Sequence, residues 1–191
     1  MSRLTTVAVT GNLGQPSRTV ALAKSISAAV AALIETEQHL VDISEVGPFL
    51  GQALQRNQLS GEAEQAIRLI EGADVLVVAS PVYKGSYTGL FKHLFDFIAP
   101  DALIEKPVVL AATGGTDRHA LIIEHQLRPL FSFFRAHTVP TALYAIESDF
   151  DGHRLKNSEL LARVSAAARQ VATLLGSRAE KANGVAVAAT I

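Results

Sequence analysis

The sequence predicts an α/β domain built on a doubly wound parallel sheet of five strands. Three observations lead there. Short β-branched or apolar runs alternate with amphipathic helical patterns along the 191 residues, the order that right-handed βαβ crossovers turn into a parallel sheet. The run Asp74–Ser80 is apolar almost throughout, as a central strand covered on both faces must be. Glycine-bearing loops follow three of the strands.

The elements follow in order. Leu4–Thr10 is β-branched and stops at Gly11, which makes it a buried strand. From Ser17 to about Thr36 the apolar residues Ala21, Leu22, Ile26, Val30, Leu33 and Ile34 form a helical stripe, with Ser17 as N-cap after Pro16. His39–Ile43 is a second strand, and Ser44–Leu59, with Gly47-Pro48 and Gly51, is read as a loop with room for a short helical turn. Ser60, followed by Glu62 and Glu64, caps a helix that ends at Gly72. After Asp74–Ser80 comes the loop Pro81–Gly89 and a helix over Leu90–Ile98. Pro107–Ala112 is a fourth strand ending in Thr113-Gly114-Gly115-Thr116, and a helix is expected from about His119 to Ala136, kinked or broken by Pro129. Thr138–Ile146 is an edge strand, because Pro140 cannot donate to a ladder on both sides. A last helix covers about Ser158 to Leu175. One domain over residues 1–176 is expected, with residues 177–191 as an unstructured tail.

Composition removes several classes of function. Lys and Arg total 17 against 18 Asp and Glu, so no basic surface for a nucleic-acid backbone is expected. Cysteine is absent, which excludes disulfides and thiolate metal sites and suits a reducing, cytoplasmic compartment. No apolar run approaches the roughly 20 residues of a membrane span, and the N-terminus does not read as a secretory signal. There is no G-x-G-x-x-G after the first strand, no G-x-x-x-x-G-K-[ST], no H-E-x-x-H, and no acidic pair of a phospho-receiver at Thr10-Gly11-Asn12. Asp149–Gly152 reads as a turn, without a metal.

The chemistry is expected where the loops meet. Ligands of such sheets sit beyond the carboxyl ends of the strands, and in the flavodoxin-like order 2-1-3-4-5 strands one, three and four are neighbours. The first loop holds Gly11, Asn12, Ser17, Arg18 and Thr19 at the start of a helix, where free N–H groups and the helix dipole receive an anion. The second holds Pro81, Val82, Tyr83, Lys84 and Gly85, and the third Thr113, Gly114 and Gly115. Backbone N–H groups of Val82–Gly85 and Thr113–Gly115 are candidates to bond a polar ring edge. Tyr83 would border the ring, and Gly85, Gly114 and Gly115 would let it come close. A flat ring with a phosphate tail fits this set, and FMN is such a ligand.

The same segments carry a resemblance. Gly11-Asn12 with Pro16-Ser17-Arg18-Thr19, then Pro81-Val82-Tyr83-Lys84-Gly85-Ser86-Tyr87-Thr88-Gly89-Leu90-Phe91-Lys92, then Ala112-Thr113-Gly114-Gly115-Thr116, resemble the NAD(P)H-dependent FMN reductases. More narrowly they are similar to the reductase components of two-component alkanesulfonate and methanesulfonate monooxygenase systems, from Leu4 to about Leu175. The chain departs from the resemblance at Asn12, where serine is common, and at Gly14, where many relatives have arginine; Arg18 is left as the phosphate cation. The resemblance implies NADH or NADPH as reductant, hydride transfer to flavin N5, and release of reduced FMN to a partner flavin-dependent monooxygenase. No residue beyond the positioning groups is then needed for catalysis. The alternatives are a quinone, azo-compound or chromate reductase holding FMN tightly, and a flavodoxin-type electron carrier, which the near-neutral charge disfavours.

Two residues near the loops have separate readings. Lys84 would stabilise charge on reduced flavin or attract a nicotinamide phosphate, and His119 would cap the next helix. Leu121–Phe134 and Leu90–Ile98 are apolar on more than one side, so both helices are expected in a homodimer or homotetramer interface. The resemblance gives His125 the same interface role.

Overall fold

In a computed structural model of the protein, residues 3–188 are described, with side chains described as far as residue 178. The strands are β1 (Leu4–Thr10), β2 (Thr36–Asp42), β3 (Val75–Pro81), β4 (Pro107–Gly114), β5 (His137–Thr138) and β6 (Leu143–Ile146). They form one parallel sheet in the order β2-β1-β3-β4-β5, with β6 also paired to β4. The expected five-position order 2-1-3-4-5 therefore holds, and the fifth position is shared by two short strands. Pro140 falls in the break between them, and Gln170 supplies the missing acceptor there: its Oε1 takes the Thr141 N–H at 3.0 Å.

Strand periodicity builds a core on each side of the sheet. Val7 and Val9, Leu76 and Val78, and Val108 and Leu110 point to one face; Ala8, Val77, Ala79, Val109 and Ala111 point to the other. The second face is covered by α1 (Arg18–Ala31) and α6 (Ser158–Ala188) through Leu22, Ile26, Val30, Val164, Ala168 and Val171. The first is covered by α2 (Ile43–Leu50), α3 (Gly61–Gly72), α4 (Gly89–Asp96) and α5 (Arg128–Phe133). Much of the apolar excess on α4 is spent inside the subunit, since Phe91, Leu94 and Phe95 are buried. Phe95 stacks against Phe91 at 4.9 Å and meets Phe131 edge-on at 5.0 Å between ring centres. Leu121 and Phe133 remain exposed, at 64% and 67%. Phe133 lines a groove of about 520 Å³, together with Tyr87, Phe95, His125 and Leu130 among others.

Four expectations change. Ser44–Leu59, read as a loop, contains α2, started by Asp42, whose Oδ1 accepts the Ser44 N–H at 2.9 Å. The single helix expected over 119–136 is three pieces: a 3₁₀ turn at Asp117–His119, a π-helical turn at Ile123–Leu127, and α5. Pro129 stands at the start of α5, where its missing N–H matters least. His119 ends the 3₁₀ turn with its side chain exposed and caps no helix. The backbone of α6 continues to Ala188, so helix extends into the segment read as an unstructured tail; residues 189–191 lie outside the described residues. Among the described residues no helix is long and apolar enough to cross a membrane.

Candidate functional site

The first loop is fastened before it offers anything. The Gly11 N–H donates to the Ala79 carbonyl at 2.8 Å, and the Gly11 carbonyl accepts the Thr88 hydroxyl at 2.7 Å. A Cβ at Gly11 would lie 2.8 Å from Ser80 Oγ and 3.0 Å from the Phe91 ring, so glycine lets the loop lie flat on β3 and α4. Asn12 is buried and donates through Nδ2 to the Gly14 carbonyl at 3.1 Å, while its Oδ1 has no partner. Gln15 donates to Asp42 at the end of β2. Ser17 has extended backbone and accepts the Val20 N–H on Oγ at 3.3 Å, the expected N-cap of α1. The first N–H groups of α1, on Arg18 and Thr19, have no helical acceptor.

The second loop turns back on itself. The Val82 N–H donates to the Thr113 carbonyl at 2.8 Å, and Tyr83 and Ser86 exchange a pair of backbone hydrogen bonds at 2.9 and 3.2 Å. Between them Lys84 and Gly85 have φ of 52° and 82°, as the two central residues of a tight hairpin turn of the primed type require. The amides of Val82 and Tyr83, expected as ligand donors, are thus already used. Lys84 and Gly85 stand at the exposed tip. Glycine at 85 serves the turn rather than a close approach.

The third loop leaves β4 beneath Tyr144. The Tyr144 hydroxyl donates to the Thr116 carbonyl at 2.6 Å, and a Cβ on Gly114 would sit 2.0 Å from that hydroxyl oxygen. Partial burial and the Asp117 charge raise the Tyr144 phenol above its ordinary pKa, so it stays a donor. Gly115 has open space where a side chain would be. Thr113 and Thr19 join the third loop to the first through a hydroxyl–hydroxyl bond of 2.6 Å.

These loops close a cavity of about 350 Å³. Of the expected residues, Asn12, Ser17, Arg18, Thr19, Pro81, Val82, Tyr83, Thr113, Gly114 and Gly115 line it; Gly11, Lys84 and Gly85 do not. Gly11 lies underneath, and the hairpin carries the other two away. Sequence reasoning missed a fourth wall of Ala145, Ile146, Glu147, Phe150 and His153. The available signal was positional: β6 ends at Ile146, at the same carboxyl edge as the three loops. From that wall Glu147 Oε1 accepts Arg18 Nη2 at 2.6 Å, and Arg18 Nε is buried with no partner.

Residues 4–151 match the family model described as NADPH-dependent FMN reductase. An FMN reductase (NADPH) of Pseudomonas aeruginosa is 49% identical over 174 residues, covering 91% of this chain and 94% of the relative. The NADH-dependent FMN reductase SfnF of Pseudomonas fluorescens is 48% identical, with 93% and 95% covered. Among solved structures, an oxidoreductase from Corynebacterium diphtheriae superposes with a TM-score of 0.83 at 38% identity, over 92% of this chain and 99% of that one. The apo form of the NADH:FMN oxidoreductase EmoB gives 0.77 at 26% identity, with 88% of each chain covered. The chain belongs to the NADPH-dependent FMN reductase family, and it is an oxidoreductase of flavodoxin-like fold.

Proposed function

We propose that the cavity takes FMN, that NADH or NADPH reduces it there, and that the reduced flavin leaves for a flavin-dependent monooxygenase acting on sulfonates. The observation that carries the flavin assignment is the donor set at the head of α1. Two free helix N–H groups, the Arg18 guanidinium with its buried unpartnered Nε, and the Thr19–Thr113 hydroxyl pair all belong to residues that line the one cavity, together with Gly14, Gly114 and Gly115. A phosphate monoester satisfies such a set; a neutral quinone does not. Bound flavin supplies the hydride-accepting N5. The protein's part is positional. Ser17, Arg18 and Thr19 hold the phosphate, Tyr83 borders the ring from the mouth, and Gly115 leaves open space beside it, while glycine at 114 makes room for Tyr144 and not for the ring. Asn12 holds the loop through Gly14 rather than donating to phosphate. The partner assignment rests on the resemblance to two-component reductases, and the lack of cysteine suits a cytoplasmic setting.

The groove lined by Phe133 and the exposed Leu121 on the same segment are assigned to a second copy of the chain, in a homodimer or homotetramer. A monomeric mass by light scattering at micromolar concentration would remove that assignment.

The functional reading is tested by purification colour and nicotinamide oxidation with added FMN. Expected are weakly coloured protein after gel filtration and a rate that saturates with FMN. A yellow protein that keeps its flavin and oxidises neither nicotinamide would overturn it. Arg18→Met should weaken FMN while sparing riboflavin, which has no phosphate.

A further inference from the structure

The site contains a group whose charge opposes the ligand assigned to it. Glu147 is the one carboxylate among the described residues that line the cavity, and it is bonded to Arg18, the cation assigned to phosphate. It reaches there because β6 ends at Ile146 and the following 3₁₀ turn, Glu147–Asp149, is locked by Asp149, whose Oδ2 accepts the Ile146 N–H at 2.8 Å. Asp149 also accepts the Asn157 amide at 2.6 Å and the Lys156 N–H at 2.8 Å. The turn that carries the carboxylate is therefore braced, while the Glu147 side chain itself is 72% exposed.

From this we infer that Glu147 sets flavin affinity by competing with the ligand's phosphate for the Arg18 guanidinium. The inference rests on the phosphate reading above. A phosphate entering beside Arg18 meets a guanidinium already partly neutralised, and it also meets the Glu147 charge itself. Both effects weaken binding of a phosphate dianion and leave the neutral ring and ribityl contacts untouched. Glu147 is thus a specificity-determining residue: it lowers the advantage of FMN over riboflavin and favours release of the flavin after turnover. His153, the other titratable side chain on this wall, faces the same cavity. An imidazole side chain does not supply the negative charge of a carboxylate and cannot stand in for it.

Glu147→Gln isolates the charge, because glutamine keeps a carbonyl oxygen to accept from Arg18. Flavin dissociation constants are measured by quenching of flavin fluorescence, for FMN and riboflavin in parallel. Expected in Glu147→Gln is FMN binding about two- to fivefold tighter, the range of one exposed charge interaction, with riboflavin changed less than about 1.5-fold. The gain should shrink as salt is added. Unchanged or weaker FMN binding in Glu147→Gln overturns the inference if Arg18→Met still loses its preference for FMN over riboflavin. If Arg18→Met keeps that preference, the phosphate lies elsewhere and the underlying reading falls with it.

Discussion

Gly114→Ala tests whether the third loop is shaped by Tyr144. The added methyl would stand 2.0 Å from the Tyr144 hydroxyl oxygen and 3.0 Å from Cζ, so the ring must move. Moving it breaks the 2.6 Å bond to the Thr116 carbonyl. Overpacking costs about 1–3 kcal/mol and the hydrogen bond about 1 kcal/mol, so the variant should lose about 2–4 kcal/mol. For a chain of this size that is a fall in Tm of about 4–16 °C. Tyr144→Phe alone should cost about 1 kcal/mol. With the hydroxyl gone, the nearest obstacles to the methyl are Cζ at 3.0 Å and the Thr116 carbonyl oxygen at 3.4 Å. Gly114→Ala in the Tyr144→Phe background should therefore cost about 1–2 kcal/mol less than in the native chain. Urea unfolding followed by far-ultraviolet circular dichroism, with an unchanged slope, supplies the three differences. Costs that add to within about 0.5 kcal/mol would refute the account and leave Tyr144 no part in excluding a side chain at position 114.

Two further predictions concern stability. Arg56 bonds both Glu71 oxygens at 2.5 and 2.8 Å and both Glu64 oxygens at 3.2 Å, while Glu71 also accepts the Ala99 N–H. Arg56→Met should cost about 1–3 kcal/mol at pH 7. Burial pushes the Glu71 carboxyl up, but the Arg56 and Ala99 donors outweigh it and hold the carboxyl below its usual range; Arg56 and Arg68 do the same for Glu64. That contribution is present above the ordinary carboxylate pKa and lost as pH falls through the lowered folded values. The gap between native chain and variant should then narrow from pH 7 to pH 3, and a constant gap in urea titrations would contradict this. Lys106 is buried at the opposite end of the sheet from the cavity and donates to the Ile70 and Glu71 carbonyls at 3.3 and 2.8 Å. Burial, aided by the Arg178 charge and opposed by Asp74 and Glu71, lowers its pKa to about 8. Between that value and the ordinary lysine range the unfolded chain holds a proton that the folded chain has released. The native chain should therefore gain stability relative to Lys106→Met as pH rises through this window, by at most about 1.4 kcal/mol per pH unit. A flat difference between pH 7 and pH 10 would exclude a shifted lysine.

What could be read from the residues was whatever rests on local chemistry or strand period. Ser17 caps α1 because a serine hydroxyl and the N–H three residues on need nothing distant. The apolar run in β3 required cover on both faces, and both faces are covered. The meeting of the three glycine loops followed from the flavodoxin-like strand order expected of alternating strands and helices. What could not be read depends on contacts made only after folding. α2 contains Gly47 and Pro48, poor helix residues. It persists because Ile43 and Leu50 are buried and because Gly47 fits against Leu90, where a Cβ would come to 3.1 Å. The π-helical turn adds one residue to a helical repeat, and no residue type announces it. Glu147 entered the site from more than 120 positions beyond Arg18, bonded to it across 129 residues of chain. Lys84 shows the reverse error: it stands beside the cavity in sequence, and a hairpin turns it outward.

The broken fifth strand has a consequence for how these molecules behave in a crowd. An uninterrupted outer strand would offer a row of free amides and carbonyls on which a partly unfolded neighbour could add its own strand. Here Pro140 has no amide to offer, the Thr141 amide is held by Gln170, and Gln170 Nε2 holds the Thr141 hydroxyl at 2.9 Å. A helix side chain thus occupies the amide at the break in that border, where a neighbour's strand could otherwise begin to pair. The interruption that splits this strand in two also helps to keep the protein's sheet its own.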